Sequence, residues 1–199
     1  FHNLVGWPDR EPAGIPSAYT DYIAPWFGAL GALAGLERRR RTGRGVEIDV
    51  SQLETGPHFL APAILDYAAN GRVAQRRGNR SQYAAPNGVY RCQGDDSWCA
   101  IAVCDREQWQ ALCAALGQPD RGNDPRYLTR QSRVAHADEI DQMIEAWTAT
   151  RTPEEVVACF QRAGVPAAIV SSNEDIMEKD PQLKARGTFR TVHHAEIGD

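Results

Sequence analysis

The residue with the clearest chemical potential is Asp21, placed where a stretch dense in Pro8, Pro12, Pro16, Gly6 and Gly14 runs into an apolar helix. A carboxylate at a helix N-terminus is stabilised as the anion by the helix dipole and by amides with no partner inside the helix, by about 0.3–1 kcal/mol. Two roles fit that position. Asp21, or Thr20 beside it, caps the helix; alternatively, an exposed carboxylate at a loop-to-helix junction carries a functional role. A second group is the arginine set Arg72, Arg76, Arg77 and Arg80, which has the chemistry to meet phosphate oxygens or simply to form a solvated linker face.

Other polar residues read more plainly. Asp105 stands three residues before Gln108, the spacing of a helix cap. His193 and His194 are adjacent, so their side chains diverge in an extended chain, and His58 and His136 lie on helical stretches; none is given a role. The five cysteines, Cys92, Cys99, Cys104, Cys113 and Cys159, lack metal-ligand spacing and form no Cys-x-x-Cys pair. They read as buried thiols of a reduced cytosol. No metal site is expected. Neither a Walker loop nor a G-x-G-x-x-G fingerprint occurs, which leaves nucleotide hydrolysis and dinucleotide binding without support.

The elements that position these residues follow from pattern. The chain has 199 residues, is 42% hydrophobic and carries a net charge of −4. That is a globular composition with no long-range attraction to nucleic acid or anionic membranes. The longest apolar run, Ile23 to Leu36, reads as a buried helix extending to Arg41, with Pro25 tolerated in its first turn and Gly43 and Gly45 ending it. Its small residues, among them Gly28, Gly31 and Gly35, would let another backbone approach closely. Val46 to Val50 alternates as a strand, and residues 51–69 form a helix opened by Ser51 and Glu54.

Residues 70–88, with Gly71, Gly78, Pro86 and Gly88, read as a linker. Beyond it the pattern predicts strands at Val89–Cys92 and Trp98–Val103, helices at Arg106–Leu116, Ala137–Thr148 and from Pro153, a strand at Val165–Val170, and a short helix from Pro181 to Arg186. The expected organisation is residues 1–69 as part of a large domain, 70–88 as linker, 89–170 as a small α/β domain and 171–199 as a return segment. The class is α/β. The opening at Phe1 and the ending at Asp199 read as those of a fragment.

Several short motifs, taken in order, resemble the signature of family III CoA-transferases, the CaiB/BaiF family. They are Gly6-Trp7-Pro8-Asp9, Tyr19-Thr20-Asp21-Tyr22, the Ala/Gly/Leu-rich helix, Thr42-Gly43-Arg44-Gly45, and Glu47 to Ser51 with Glu54. The likeness continues through Pro86 to Tyr90, Trp98 with Ile101 to Val103, Trp109, Gly164 to Ala167 and Asp180 to Leu183. The stretch matching the glycine-rich flap of some members, Ser81 to Ala84, has no glycine.

The resemblance implies a fold combining part of a Rossmann-like large domain with a smaller α/β domain, in a cytoplasmic, interlocked homodimer. It implies a transferase that moves CoA from an acyl-CoA to a carboxylic acid, with Asp21 as the nucleophile forming an aspartyl-CoA thioester. Coenzyme A enters as substrate rather than as a permanently bound cofactor, and no nucleic acid or membrane is involved. Two rivals stand beside this reading: an α-methylacyl-CoA racemase-like enzyme on the same fold, using the aspartate as acid and base, and a non-catalytic fragment. Tyr22-Ile23-Ala24-Pro25, without the glycines that tend to follow the racemase aspartate, favours transfer.

Overall fold

The computed structural model describes residues 2–14 and 18–198. Phe1, Pro16 of the proline-rich loop and Asp199 lie outside the described residues. Two compact units form, Phe1–Gly78 and Asn79–Asp199.

The first unit is built on α1, Tyr19–Thr42. The helix starts four residues before the expected Ile23, so Asp21 lies in its first turn and Pro25 lies inside it. Proline has no amide hydrogen, and the hydrogen bond that would return to the Asp21 carbonyl is therefore missing. At the other end, Gly43 takes the left-handed conformation (φ 70°) and gives its N–H to the Arg39 carbonyl at 2.8 Å. A residue without Cβ adopts that cap at no steric cost, and Arg39, Arg40 and Arg41 face the negative end of the helix dipole.

After this turn the chain runs back along α1. The expected strand over Val46 to Val50 is not formed, because among the described residues the unit contains no second strand for it to pair with. Val46 and Ile48 pack instead on the glycine face of α1. A Cβ built on Gly35 would stand 2.8 Å from Val46 Cγ1, and one on Gly31 3.0 Å from Ile48 Cγ2. The expected helix over residues 51–69 is divided into α2, Gln52–Thr55, a 3₁₀ segment Gly56–Leu60, and α3, Ala61–Asn70. Pro57 and Pro62 each withhold an amide from the continuous ladder.

The expectation that α1 is buried fails. Only Ile23 and Ala24 are buried, and Trp26 is 74% exposed, in line with Tyr22, Leu30 and Leu33. Among the described residues of this unit, no element lies over that stripe.

The second unit has a conventional core. Strands β1, Asn87–Arg91, β2, Trp98–Ala102, and β3, Ala167–Ile169, form an antiparallel sheet in the order β1-β2-β3. Cys99 and Ile101 alternate inward from β2, as a half-buried strand requires. They meet buried residues from α4, Arg106–Ala115, α6, Ala137–Thr148, and α7, Pro153–Arg162. Caps set these helices: Asp105 accepts from the Gln108 amide at 2.8 Å, and Thr152 with Glu155 makes a reciprocal capping box. The unit also holds α5, Arg130–Ala135, and α8, Pro181–Arg186, with short 3₁₀ and π-helical segments between the helices.

At its centre lies a fully buried arginine, Arg133 on α5. The guanidinium donates to three carbonyls, those of Ala85 (2.8 Å), Tyr127 (3.2 Å) and Asp105 (3.4 Å), and stands 5.7 Å from the centre of the Trp109 ring. Burial lowers its pKa. Removing the head group takes a donor from three carbonyls, of which that of Asp105 keeps the Trp109 amide at 3.4 Å, and hydrogen bonds to charged groups are worth about 1.5–3 kcal/mol each in net terms. Arg133→Met is accordingly expected to destabilise the protein by about 2–4 kcal/mol in urea denaturation.

Candidate active site

Asp21 is exposed on the first turn of α1 and does not cap it. The capping position falls to Ala18, which contributes no side-chain hydrogen bond, and the Asp21 amide itself donates to the Ala18 carbonyl at 2.9 Å. Thr20 does not cap the helix either. The Asp21 carboxylate is instead approached from the chain running back along α1: Gln52 Nε2 donates to Asp21 Oδ1 at 3.0 Å. Thr20 Oγ1 donates to the other end of the same amide, Gln52 Oε1, at 3.4 Å. The amide is thus oriented with its N–H towards the carboxylate.

The position of Gln52 follows from local sequence. Ser51 Oγ accepts from the Glu54 amide at 3.3 Å and opens α2 one residue before Gln52. Asp21 Oδ2 makes no hydrogen bond among the described residues. The result is a carboxylate with one oxygen tethered and one open, at the positive end of a helix. Such a group can attack an electrophilic carbonyl while the helix dipole offsets its charge.

The four arginines are dispersed. Arg72 donates to Asp66 through Nε at 2.9 Å, and the hydrogen bonds from Asn70 and Arg72 hold the Asp66 carboxyl below the usual range. Arg76 binds the N-terminal loop, donating to Asn3 Oδ1 (3.0 Å) and to the carbonyls of Trp7 and Arg10 (3.2 Å each). Arg80 pairs with Asp138 and Asp141, and Asp141 also accepts from the Tyr90 hydroxyl at 2.7 Å. Arg77 is exposed. Sequence reasoning missed Gln52 altogether. The available signal was its place next to the Ser51 cap, at the end of a segment whose alternation matches the glycine spacing of α1.

The other nucleophiles are poorly disposed. All five cysteines are free thiols. Cys92, Cys99 and Cys113 are buried, and burial pushes Cys113 up to about 12 and Cys99 higher still. Cys104 is exposed, against the expectation that the thiols are buried, because it follows β2 at the surface. No group of three or more His, Cys, Asp or Glu side chains arranged to hold a metal ion is found among the described residues. No helix among them is long and apolar enough to cross a membrane.

Comparison with known proteins adds a family to this geometry. The model of CoA-transferase family III matches residues 1–199. A probable CoA-transferase of Mycobacterium tuberculosis is 38% identical over 180 residues, covering 90% of this chain and 22% of the relative. The succinyl-CoA–D-citramalate CoA-transferase of Chloroflexus aurantiacus is 33% identical over 98% of this chain and 48% of its own. The acetyl-CoA:oxalate CoA-transferase of Acetobacter aceti is 30% identical over 81% of this chain and 41% of its own. This chain therefore spans less than half the length of each of these relatives. Among solved structures, a CaiB/BaiF family protein from Brucella suis superposes with a TM-score of 0.80 at 28% identity, over all of this chain and 54% of that one. The α/β fold is that of the CaiB/BaiF proteins.

Because Ala18 and not Asp21 occupies the capping position, Asp21→Ala forfeits only the charge–dipole term and one exposed hydrogen bond. Its unfolding free energy is expected to stay within about 1 kcal/mol of the wild type by chemical denaturation. A fall of several kcal/mol would return Asp21 to a structural role.

Proposed function

Since the chain belongs to CoA-transferase family III, we propose that the intact protein moves CoA from an acyl-CoA to a carboxylic acid through an aspartyl-CoA thioester on Asp21. The observation that carries the reading is the Asp21 carboxylate, exposed in the first turn of α1 with one oxygen held by Gln52. The relatives' names pair an acyl-CoA with a carboxylic acid, and that pairing is carried over here.

The chemistry runs through acyl exchange at carboxyl carbons. Asp21 Oδ2 attacks the thioester carbonyl of the donor, the carbon–sulfur bond breaks, and CoA leaves as the thiolate from a mixed anhydride. The thiolate then attacks Asp21 Cγ. The Cγ–Oδ2 bond breaks, the donor acid departs as its carboxylate, and Asp21 carries CoA as a thioester. An acceptor carboxylate attacks the same Cγ and expels the thiolate, giving a second anhydride. Attack of the thiolate on the acceptor's carbonyl releases the new acyl-CoA and restores the aspartate. No step needs an oxidant, a reductant or a metal ion, and each exchange is split into easier steps by the covalent intermediate.

The exposed stripe Tyr22, Trp26, Leu30 and Leu33 supports the homodimer that the family resemblance implies, since an apolar surface of this kind marks an interface. The free thiols suit a reducing cytoplasm. Arg77, exposed among its paired neighbours, is the arginine best disposed to meet a CoA phosphate.

Incubating the intact protein with acyl-CoA, quenching with hydroxylamine or borohydride and mapping by mass spectrometry is expected to modify Asp21. Asp21→Ala is expected to abolish labelling and lower transfer by more than about 10³-fold. Modification at another residue, or undiminished transfer by the variant, would overturn the reading.

A further inference from the structure

The carboxylate that the proposed reaction uses is held asymmetrically. Gln52 Nε2 meets Oδ1 at 3.0 Å, and Oδ2 makes no hydrogen bond among the described residues. Both Gln52 and Asp21 are exposed, so the contact is not a by-product of core packing. The Thr20 hydroxyl occupies Gln52 Oε1 and keeps the N–H end of the amide on the carboxylate. A carboxylate oxygen that already accepts a hydrogen bond is the weaker nucleophile, which leaves Oδ2 as the attacking atom.

From this asymmetry we infer that Gln52 is the oxyanion donor for the steps that take place at the Asp21 carboxyl carbon. The inference rests on the aspartyl-CoA reading above and extends it. Once Oδ2 has been acylated, Oδ1 is the carbonyl oxygen of the aspartyl group, both in the anhydride and in the thioester. Attack of the CoA thiolate on Cγ converts that carbonyl to a tetrahedral centre, and the negative charge develops on Oδ1. Attack of the acceptor carboxylate on the thioester develops charge on the same atom. In both steps Gln52 Nε2–H is already at hydrogen-bonding distance of the oxygen that becomes anionic, so its dipole need not reorganise as the charge forms. The proton stays on the amide nitrogen throughout, and no bond to Gln52 is made or broken.

The donor steps at the substrate carbonyls are different. Charge there develops on an oxygen of the substrate, out of the role assigned to Gln52. The assignment therefore predicts an effect confined to the aspartyl-centred steps. In the intact protein, Gln52→Leu is expected to lower kcat by about 10²-fold, in the range seen when one oxyanion donor is removed, while KM for the donor acyl-CoA changes less than about threefold. Because thioester formation and breakdown both slow, hydroxylamine should still label Asp21 in the variant, with a slower approach to full labelling after acyl-CoA is added.

Gln52→Glu separates donation from shape. An ionised glutamate is nearly isosteric but has no hydrogen to give, and it adds a negative charge beside the developing one. Its activity relative to wild type at the same pH should rise as pH falls from about 8 to about 5, as the side chain becomes a neutral donor. A residue that merely supports the fold would give no such pH-dependent recovery, and unfolding curves matched to wild type exclude a folding defect. Gln52→Leu with kcat within twofold of wild type and the same labelling rate would overturn the inference while leaving Asp21 as nucleophile. If wild-type protein is labelled elsewhere, or not at all, the reading beneath it fails as well.

Discussion

Two missing side chains govern the first unit. Gly31 and Gly35 present bare backbone on one face of α1, and the chain that turns at Gly43 settles against it through Ile48 and Val46. Two residues of extended chain advance about 6.6 Å and four residues of helix about 6 Å, so the pairs 46/35 and 48/31 keep step. Continuing in that register, Gln52 lies about 13 Å beyond Ile48, and Asp21 lies about 15 Å along the helix from Gly31. The amide and the carboxylate meet because the two periods agree. A Cβ at Gly35 would press against Val46, and the whole return segment would have to give way for it.

That arrangement leaves the carboxylate tethered by one neutral donor in an exposed position. A salt bridge there would bind the anion more strongly and reduce its nucleophilicity. Burial would raise the cost of ionisation. An exposed first-turn position avoids both, and the missing hydrogen bond above Asp21, caused by Pro25, leaves the adjacent backbone without a full helical ladder. Contrast Arg133 in the second unit, where a buried charge is surrounded by three carbonyls and has no freedom to react.

Much of this was legible in the chain. Helix ends were readable because capping is local: Gly43, Ser51, Asp105, Thr152 and Asp180 each act within a few residues. Two strands of the sheet emerged from alternation and a turn signal. The division of residues 51–69 had a local cause in Pro57 and Pro62, whereas the other misreadings of the first unit each depended on a distant partner. Val46 to Val50 has the alternation of a strand, but pairing is a property of two segments, and here the alternation serves a helix face. The apolar composition of α1 indicated burial, yet burial depends on what lies over the helix. Asp21 drew attention by its place in the sequence and by family likeness, whereas Gln52, thirty-one positions away, became visible only when the fold brought it to Oδ1.

The helix also keeps Asp21 and its exposed apolar stripe on separate faces. Successive residues of an α-helix turn by about 100°, so from the direction of Asp21 the glycines at 35 and 31 lie about 40° and 80° to one side. Tyr22, Leu33, Trp26 and Leu30 lie about 100–180° round the other way. The return segment, bound over the glycines, can therefore deliver Gln52 to the carboxylate, whereas a surface docking on the apolar stripe would approach α1 from the far side. Covering that stripe removes large apolar side chains from water without covering the carboxylate. One helix can in this way be sealed along its length and still leave Asp21 open at its first turn, as the proposed reaction requires.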